Sequence, residues 1–266
     1  MKIALYGLGE AGSLFAADLV AAGVNVTAYD PAPVATPAGV QRTDDPAVAV
    51  RDVDAVLTLV ASADARSALA QALGHTPPGT IYADLGTGSA GLKQELGRTA
   101  AEHDLMFVDV ALMTTVPGKG LRTPAQASGP GADRYAAMLS PLGVPVESIG
   151  PDTGLAATRK LLRSVVMKGL AALVIESMLA GEAAGQPEWL WQNLVAEITG
   201  AGEPLLSRLV RGTQPHALRR LHEMEASAEL LEELGVDPVM TRATVETLRR
   251  RAAGTEPMPH IPEVPD

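Results

Sequence analysis

The segment KIALYGLGEAGSLFAADLVAAGVNVTAYD, residues 2–30, decides the fold. Residues 2–6 form an apolar run of the length typical of one buried strand, and a Gly-x-Gly-x-x-Gly turn follows. A helical stretch then runs to Gly23, and a second apolar strand ends at Asp30. Strand, tight turn, helix and strand within about 30 residues predict one βαβ unit.

The three glycines of this turn match a dinucleotide-binding fingerprint. Gly7 permits the tight turn, Gly9 leaves space for a pyrophosphate, and Gly12 lets the helix approach the strand. The free N–H groups at the helix start would face the phosphates, and Asp30 would accept hydrogen bonds from the adenosine ribose. The alternative is a βα turn without a ligand, but the complete strand-turn-helix-strand context favours a cofactor.

Asp30 also bears on which cofactor binds. Its negative charge would repel the 2′-phosphate of NADP, and no Arg or Lys lies within residues 30–37 to accommodate that phosphate. The sequence therefore favours NAD. NADP stays open, because Asp30 could instead be present only to form the turn before Pro31. The residues predicted to contact the cofactor are Gly7, Leu8, Gly9, Glu10, Ala11, Gly12, Asp30, Val60, Ala61, Ser62, Gly86 and Thr87.

Apolar strands and helices continue to alternate along the first half of the chain. Strand-like segments at 53–60, 80–86 and 105–112 are separated by helical segments, which predicts a mainly parallel sheet covered on both faces. After Gly150 the pattern is helical. The predicted fold class is therefore α/β, a Rossmann-type doubly wound sheet followed by an all-α domain. The predicted domains are residues 1–152, residues 153–254 and a Pro-rich tail at 255–266.

The composition narrows the function classes. The formal net charge of -10 argues against non-specific binding to nucleic acid or anionic membranes. With no cysteine, disulfides and thiolate nucleophiles are excluded, and five scattered histidines without an HExxH pattern predict no metal site. A strand starting at Lys2 leaves no room for a signal peptide, and no uncharged apolar run reaches the roughly 18 residues of a membrane span. We expect a cytoplasmic protein.

The stretch RKLLRSVVMKG, residues 159–169, places positive charge near the start of a long helical segment. Lys160, Ser164 and Lys168 have i, i+4 and i+8 spacing and share one stripe, with Arg163 beside them. Positive charges there oppose the helix dipole at roughly 0.3–1 kcal/mol each when exposed. An anionic ligand in front of the helix would remove this conflict. A solvated basic stripe is the alternative interpretation.

With these motifs, nearly the whole chain resembles the β-hydroxyacid dehydrogenases. This superfamily includes 6-phosphogluconate and 3-hydroxyisobutyrate dehydrogenases and has imine reductases as relatives. The fingerprint GLGEAG matches, and Lys160 falls at the catalytic lysine of the family's Gly-x-Gly-x-x-x-Lys-x-x-x-Asn motif, here GLAATRKLLRS. The resemblance implies a Rossmann domain, an all-α domain, a homodimer, and Lys160 as general acid/base.

Ala156 replaces the second Gly of that motif, and two altered polar sites indicate a divergent branch with an unassigned C-terminal domain. Ser164 stands where the family has Asn. The substrate motif Asp-x-Pro-Val-Ser-Gly-Gly is replaced by DVALMTT, which retains Asp109 but not the Ser-Gly-Gly. The resemblance therefore specifies the reaction class better than the substrate.

The sequence thus predicts an NAD(P)-dependent oxidoreductase acting on the CH–OH group of a small hydroxyacid-like substrate with a carboxylate or phosphate. Lys160 would be the general acid/base, and Ser164 would hold the substrate hydroxyl or a water. The residues predicted to bind the rest of the substrate are Thr114, Thr115, Arg163 and Lys168. An imine or ketone reductase and a non-catalytic dinucleotide sensor are the rival functions.

The partners expected are a small anionic substrate and a second copy of the chain, with neither nucleic acid nor membrane. The apolar segment 161–179 carries more apolar surface than the helices after it can cover, which favours a homodimer. Glu176, inside that run, is expected either to pair at the dimer interface or to lie near the cleft between the domains, and we favour the interface.

Overall fold

The computed structural model describes residues 1–200, 202–255 and 259–261. The chain forms two compact units, Met1–Ser164 and Val165–Asp266. Most of the predicted tail at 255–266 lies outside the described residues. The predicted boundary after residue 152 lies just before the long helix in which the two units divide.

The first unit is built on one sheet of eight strands. Seven neighbouring pairs join them in the order β3-β2-β1-β4-β5-β6-β7-β8, and all are parallel except the antiparallel pair β6–β7. This confirms the mainly parallel sheet. The strands are β1 Lys2–Tyr6, β2 Asn25–Tyr29, β3 Gln41–Arg42, β4 Ala55–Thr58, β5 Ile81–Asp84, β6 Met106–Leu112, β7 Ala125–Ser128 and β8 Val146–Ser148.

Helices cover both faces of this sheet. In β1, Ile3 and Leu5 enter one apolar cluster while Ala4 and Tyr6 enter another, because successive side chains of a strand point to opposite faces. Two buried faces explain why the strands read as continuous apolar runs. The helices of this unit are α1 Glu10–Ala21, α2 Pro46–Ala49, α3 Ala65–Ala72, α4 Ala90–Ala101 and α5 Ala132–Leu139.

The strand order reverses at β1. This strand lies between β2 and β4. The chain continues from β1 through β2 to β3 on one side, then crosses to β4 and continues to β8 on the other. In open α/β sheets, ligands bind outside the carboxyl ends of the strands at such a switch point. The Gly-rich turn after β1 therefore lies at the expected position for a ligand.

The second unit is helical. The long helix α6, Leu155–Ala183, begins in the first unit and continues into it, and α9 packs on α10 through Leu221, Val245 and Leu248. The other helices are α7 Pro187–Thr199, α8 Gly202–Arg211, α9 Ala217–Glu233 and α10 Val239–Ala252. The strand and helix content confirms the predicted fold class.

Helix α6 is long and apolar enough, by length and composition only, to cross a membrane. Its apolar window has a mean hydropathy of 1.5, and 17% of that window is buried. One such helix is weak support for a membrane span, because a helix that packs against protein passes the same test.

Glu176 has a role within its own unit that the sequence did not reveal. Its carboxylate accepts hydrogen bonds from the backbone N–H groups of Met240 and Thr241 at 2.6 and 2.8 Å, and from the Thr241 hydroxyl at 2.7 Å. It therefore caps the start of α10 from α6. Burial acts to raise the pKa of Glu176, but these hydrogen bonds outweigh it, and the pKa is lowered.

Replacing Glu176 with Gln should lower the free energy of unfolding by about 1–3 kcal/mol, because the charged acceptor for these donors is lost. Because the pKa of Glu176 is lower in the folded protein than its ordinary value of 4.5, the ionised carboxylate makes its full contribution to stability above pH 4.5. That contribution is lost as the pH falls through the lowered pKa. Urea unfolding across this range tests both statements, with exposed Glu182→Gln as control. Equal stability of Glu176→Gln and wild type at neutral pH would contradict the capping role.

Candidate functional site

The turn between β1 and α1 is shaped by its glycines. Gly7 has a φ of +94°, and a Cβ there would lie 2.5 Å from the Leu59 carbonyl oxygen. A Cβ on Gly12 would lie 1.9 Å from the carbonyl oxygen of Gly7, so the helix contacts the turn directly. A Cβ on Gly9 would meet nothing within 4 Å among the described residues. The turn is thus closed on the protein side and open at Gly9, which fits a bound pyrophosphate.

A pocket of about 370 Å³ opens beside this turn. Its walls include Gly7, Gly9, Asp30, Val60 and Ala61, five of the residues predicted to contact the cofactor. The size and the mixed apolar and polar lining suit part of a dinucleotide. Ser62, also predicted, is exposed and is not among the lining residues.

Asp30 is held in place by backbone donors. Its Oδ2 accepts the Leu8 N–H at 2.6 Å, and its Oδ1 accepts the Ala32 N–H at 2.8 Å. Leu8, predicted as a cofactor contact, therefore directs its N–H to the carboxylate. A carboxylate has about four acceptor positions, so Asp30 keeps the capacity to bind ribose hydroxyls.

Sequence reasoning missed Arg42 near Asp30. The Arg42 guanidinium donates to the carbonyl oxygens of Asp30 and Ala32 at 2.9 and 2.6 Å, and also to that of Val34. It thereby fixes the loop after β2. Arg42 lies in the two-residue strand β3, outside the window 30–37. The only available signal was an isolated Arg beyond the turn.

A second pocket, of about 550 Å³, brings together residues predicted for different roles. Lys160 Nζ donates to the Thr87 hydroxyl at 3.0 Å, and Lys119 Nζ donates to the Thr114 hydroxyl at 3.0 Å. The predicted residues lining this pocket are Glu10, Ala11, Val60, Gly86, Thr87, Thr114, Thr115 and Lys160. Cofactor-binding, substrate-binding and acid/base candidates thus share one pocket in the first unit.

Three other predicted residues are not among its walls. Arg163 is exposed and Ser164 is half-buried, and neither lines the pocket of about 550 Å³ that Lys160 borders. Lys168 belongs to the helical unit. Their roles toward a substrate stay predictions.

Below Thr87 and Lys160 lies a buried charge cluster that sequence reasoning also missed. The Lys93 side chain is 1% exposed, and its Nζ lies 3.1 Å from Asp84 Oδ2 and 3.5 Å from Asp109 Oδ1. It also donates to the carbonyl oxygens of Asp84 and Gly86, at 2.9 and 2.8 Å. We define Lys93, Asp84 and Asp109 as the buried triad. The signal in the sequence was a lysine on the apolar stripe of α4, in line with Leu96.

Asp109 connects this triad to the start of α6. Its Oδ2 accepts the Ala157 N–H at 2.9 Å and the Ser128 hydroxyl at 3.3 Å, while the Ser128 oxygen accepts the Ala156 N–H at 3.0 Å. Burial raises the pKa of Asp109, although the Lys93 ammonium and these hydrogen bonds oppose the shift. The carboxylate at the helix start also offsets the dipole conflict created by Lys160 and its basic neighbours.

No group of three or more His, Asp or Glu side chains that could hold a metal ion occurs in the described part of the chain.

Known protein families match both units. Residues 2–119 match the family described as the NAD binding domain of 6-phosphogluconate dehydrogenase. Residues 182–251 match a family described as a domain of unknown function, DUF1932.

Individual proteins extend this similarity. A probable 3-hydroxyisobutyrate dehydrogenase of Mycobacterium tuberculosis is 27% identical over 207 residues, covering 75% of this chain and 69% of that protein. A conserved hypothetical protein of Sinorhizobium meliloti has a crystal structure with 30% identity, a TM-score of 0.62, and coverage of 94% and 87% of the two chains. An imine reductase of Myxococcus stipitatus in complex with NADP+ shares the fold, with 20% identity, a TM-score of 0.78, and coverage of 96% and 95%.

Two glycine substitutions should separate cofactor binding from folding. Gly9→Ala adds a methyl group in open space, so stability should be unchanged while NAD affinity falls about tenfold, equivalent to losing one charge-assisted hydrogen bond. Gly12→Ala overpacks the turn and should cost about 1–3 kcal/mol of stability. Calorimetric titration with NAD and urea unfolding measure the two effects.

Gly91→Ala is the matched control, because Gly91 lies in α4 with open space around it and outside both pockets. It should leave NAD affinity unchanged. Full NAD affinity in Gly9→Ala would argue against a pyrophosphate at this turn.

Proposed function

Since the chain belongs to the superfamily of 6-phosphogluconate dehydrogenase-like β-hydroxyacid dehydrogenases, with a C-terminal domain of unknown function, we propose that it oxidises or reduces a small hydroxyacid-like substrate. Its first unit is an NAD-binding domain. The proposed reaction transfers a hydride between the nicotinamide cofactor and the CH–OH group of a substrate that carries a carboxylate or phosphate. The curated relatives named as 3-hydroxyisobutyrate dehydrogenases support this substrate class.

The observation that carries the proposal is the shared pocket around Lys160. The ammonium borders the same space as Glu10 and Ala11 of the Gly-rich turn and as Thr114 and Thr115 after β6. A general acid/base must reach the reacting oxygen while the cofactor lies beside it. This arrangement supports that geometry within a single unit of the protein.

The proposed roles follow from the side chains. When bound, the cofactor supplies the hydride acceptor or donor. Lys160 Nζ would take the hydroxyl proton during oxidation and return a proton to the carbonyl oxygen during reduction. Thr114 and Thr115 would bind the substrate's acid group, and Ser164 would hold its hydroxyl. Arg163 or Lys168 would neutralise a carboxylate or phosphate.

We infer NAD as the preferred cofactor. The Asp30 carboxylate borders the pocket beside the turn and disfavours a 2′-phosphate there. The guanidinium of Arg42 donates to three carbonyl oxygens rather than presenting itself as a phosphate ligand. A cytoplasmic location, expected from the sequence, is part of the same proposal.

Replacing Lys160 with Ala should lower turnover by about 100- to 10,000-fold, the usual contribution of general acid/base catalysis, while leaving NAD affinity unchanged. The measurement is a screen of hydroxyacids and sugar acids with NAD and NADP, followed by reduced-nicotinamide absorbance. Lys2→Ala, which removes an exposed lysine paired with Asp52, is the control. Undiminished turnover in Lys160→Ala would remove this lysine from the mechanism.

The same screen should include cyclic imines and ketones with reduced cofactor. The loss of the family's Ser-Gly-Gly and Asn residues is the feature that favours an imine or ketone reductase. Imine reduction without hydroxyacid oxidation would establish that rival. Cofactor binding with no hydride transfer to any of these compounds would favour a dinucleotide sensor.

We further propose that a second copy of the chain covers exposed apolar side chains of α6 and α7. Val165, Val166 and Ile175 are 72%, 63% and 61% exposed, and Trp189 of α7 is 62% exposed. Large exposed apolar patches mark interfaces, and obligate dimers bury the most apolar ones.

Val165→Glu should convert a dimer into a monomer, because it places a charge in the buried interface. Light scattering after size exclusion measures the mass. Val48→Glu, the same change at an exposed valine of the first unit, should remain dimeric. A monomeric wild type, or wild type that partitions into lipid vesicles, would contradict the dimer.

A further inference from the structure

One lysine of the first unit is almost fully buried. Lys93 in α4 has a side chain that is 1% exposed, and its ammonium faces two carboxylates and two carbonyl oxygens. These groups belong to Asp84 at the end of β5, to Gly86 in the loop after β5 and to Asp109 in the middle of β6. Burying an ammonium is costly unless it is paired and fully hydrogen-bonded. Helix α4 would form equally well with this lysine exposed to solvent. The burial of Lys93 must therefore be explained by the groups that its ammonium contacts.

The first group that Lys93 holds is the loop carrying the hydrogen-bond partner of Lys160. The Gly86 carbonyl accepts from Lys93 at 2.8 Å, and the Gly86 N–H donates to Asp84 Oδ1 at 2.9 Å. Both polar backbone groups of Gly86 are therefore fixed by the buried triad. Thr87 follows directly, and its hydroxyl accepts the Lys160 ammonium at 3.0 Å.

The second group is the start of the helix from which Lys160 projects. Asp109, 3.5 Å from Lys93 Nζ, accepts the Ala157 N–H. Ala157 lies three residues before Lys160, on the same side of α6. The triad thus fixes both the backbone below Lys160 and the hydroxyl in front of its ammonium.

The two groups meet at a small cavity. Lys93, Asp109, Thr87, Ala157 and Lys160 all line a space of about 10 Å³, near the lower limit for one water molecule. Asp109 Oδ1 is fully buried and makes no hydrogen bond within the described residues. Among the described residues, the charged side chains that line these two spaces together with Lys160 are Lys93 and Asp109 in the small cavity and Glu10 in the larger pocket.

We propose that Lys93 is a positioning residue for Lys160, acting through Gly86–Thr87 on one side and through Asp109 and the start of α6 on the other. The proposal deepens the proposed function, because it concerns the same acid/base. With a side chain that is 1% exposed, Lys93 would act without contacting cofactor or substrate. It sets the place and the electrostatic surroundings of the group that would contact them.

Two variants with opposite charge effects test the proposal. Lys93→Gln leaves the triad with two carboxylates and no cation, whereas Asp109→Asn leaves one balanced ion pair and retains an acceptor for the Ala157 N–H. The pH midpoint of the Lys160 ammonium titration should rise in Lys93→Gln and fall in Asp109→Asn, since a nearby negative charge favours the ammonium. Glu95→Gln, which removes a carboxylate paired with Arg66 on the exposed side of α4, should leave it unchanged.

The readout is nuclear magnetic resonance of isotope-labelled lysine side chains. The chain has five lysines, at positions 2, 93, 119, 160 and 168, so each signal is separable. The Lys160 signal is assigned by its loss in Lys160→Arg. Where turnover is measurable, kcat should fall about 100-fold in Lys93→Gln, the effect of displacing a catalytic group by about 1 Å, with the KM for NAD nearly unchanged.

The outcomes separate this proposal from the proposed function. Opposite shifts of the Lys160 midpoint without turnover of any hydroxyacid or imine would support the positioning role and overturn the proposed reaction. An unchanged Lys160 midpoint in both variants, with turnover lost or retained, would reduce the triad to a structural feature of the fold. If Lys93→Gln fails to fold, Asp109→Asn decides alone, and an unchanged midpoint there overturns the proposal.

Discussion

The first unit depends on neutralising two carboxylates at neighbouring positions of one sheet. Asp84 ends β5 and pairs in register with Asp109 of β6, and both are buried. Two anions side by side in a low-dielectric interior repel each other strongly. The Lys93 ammonium between them resolves this conflict. It also links α4, the loop after β5 and the start of α6, so the elements surrounding Lys160 share one electrostatic centre.

Much of this fold could be predicted from the sequence because its signals are local. The segment at residues 2–30 forms one βαβ unit, and the strand-like segments at 53–60, 80–86 and 105–112 contain β4, β5 and β6. The pieces that were missed, β3 and α2, span two and four residues. Such short elements carry no detectable periodicity. The antiparallel pairing of β6 with β7 depends on contacts between segments rather than on either segment alone.

The parts of the candidate site that could be predicted are those in which a residue type has a specific structural role, such as glycine in a tight turn. The glycines of the turn behave as their spacing indicates, and Lys160 borders the pocket that the Gly-rich turn also borders. The buried triad was not predicted, because a lysine in a surface helix of mixed composition usually faces solvent. Only the three-dimensional register of Asp84 and Asp109 shows why Lys93 must face inward. The positive charge at the start of α6 was noticed in the sequence, yet the anion that offsets it turned out to include the chain's own Asp109.

The proposed function requires that Lys160 serve a reaction at the nicotinamide ring of a cofactor bound along the Gly-rich turn. A crystal structure of the protein with NAD and a hydroxyacid tests it most directly. The pyrophosphate should lie over Gly9, and Lys160 Nζ should be within hydrogen-bond reach of the substrate oxygen next to the nicotinamide. A nicotinamide ring outside the pocket lined by Thr87, Thr114 and Lys160, or a Lys160 side chain directed away from the substrate, would contradict the account.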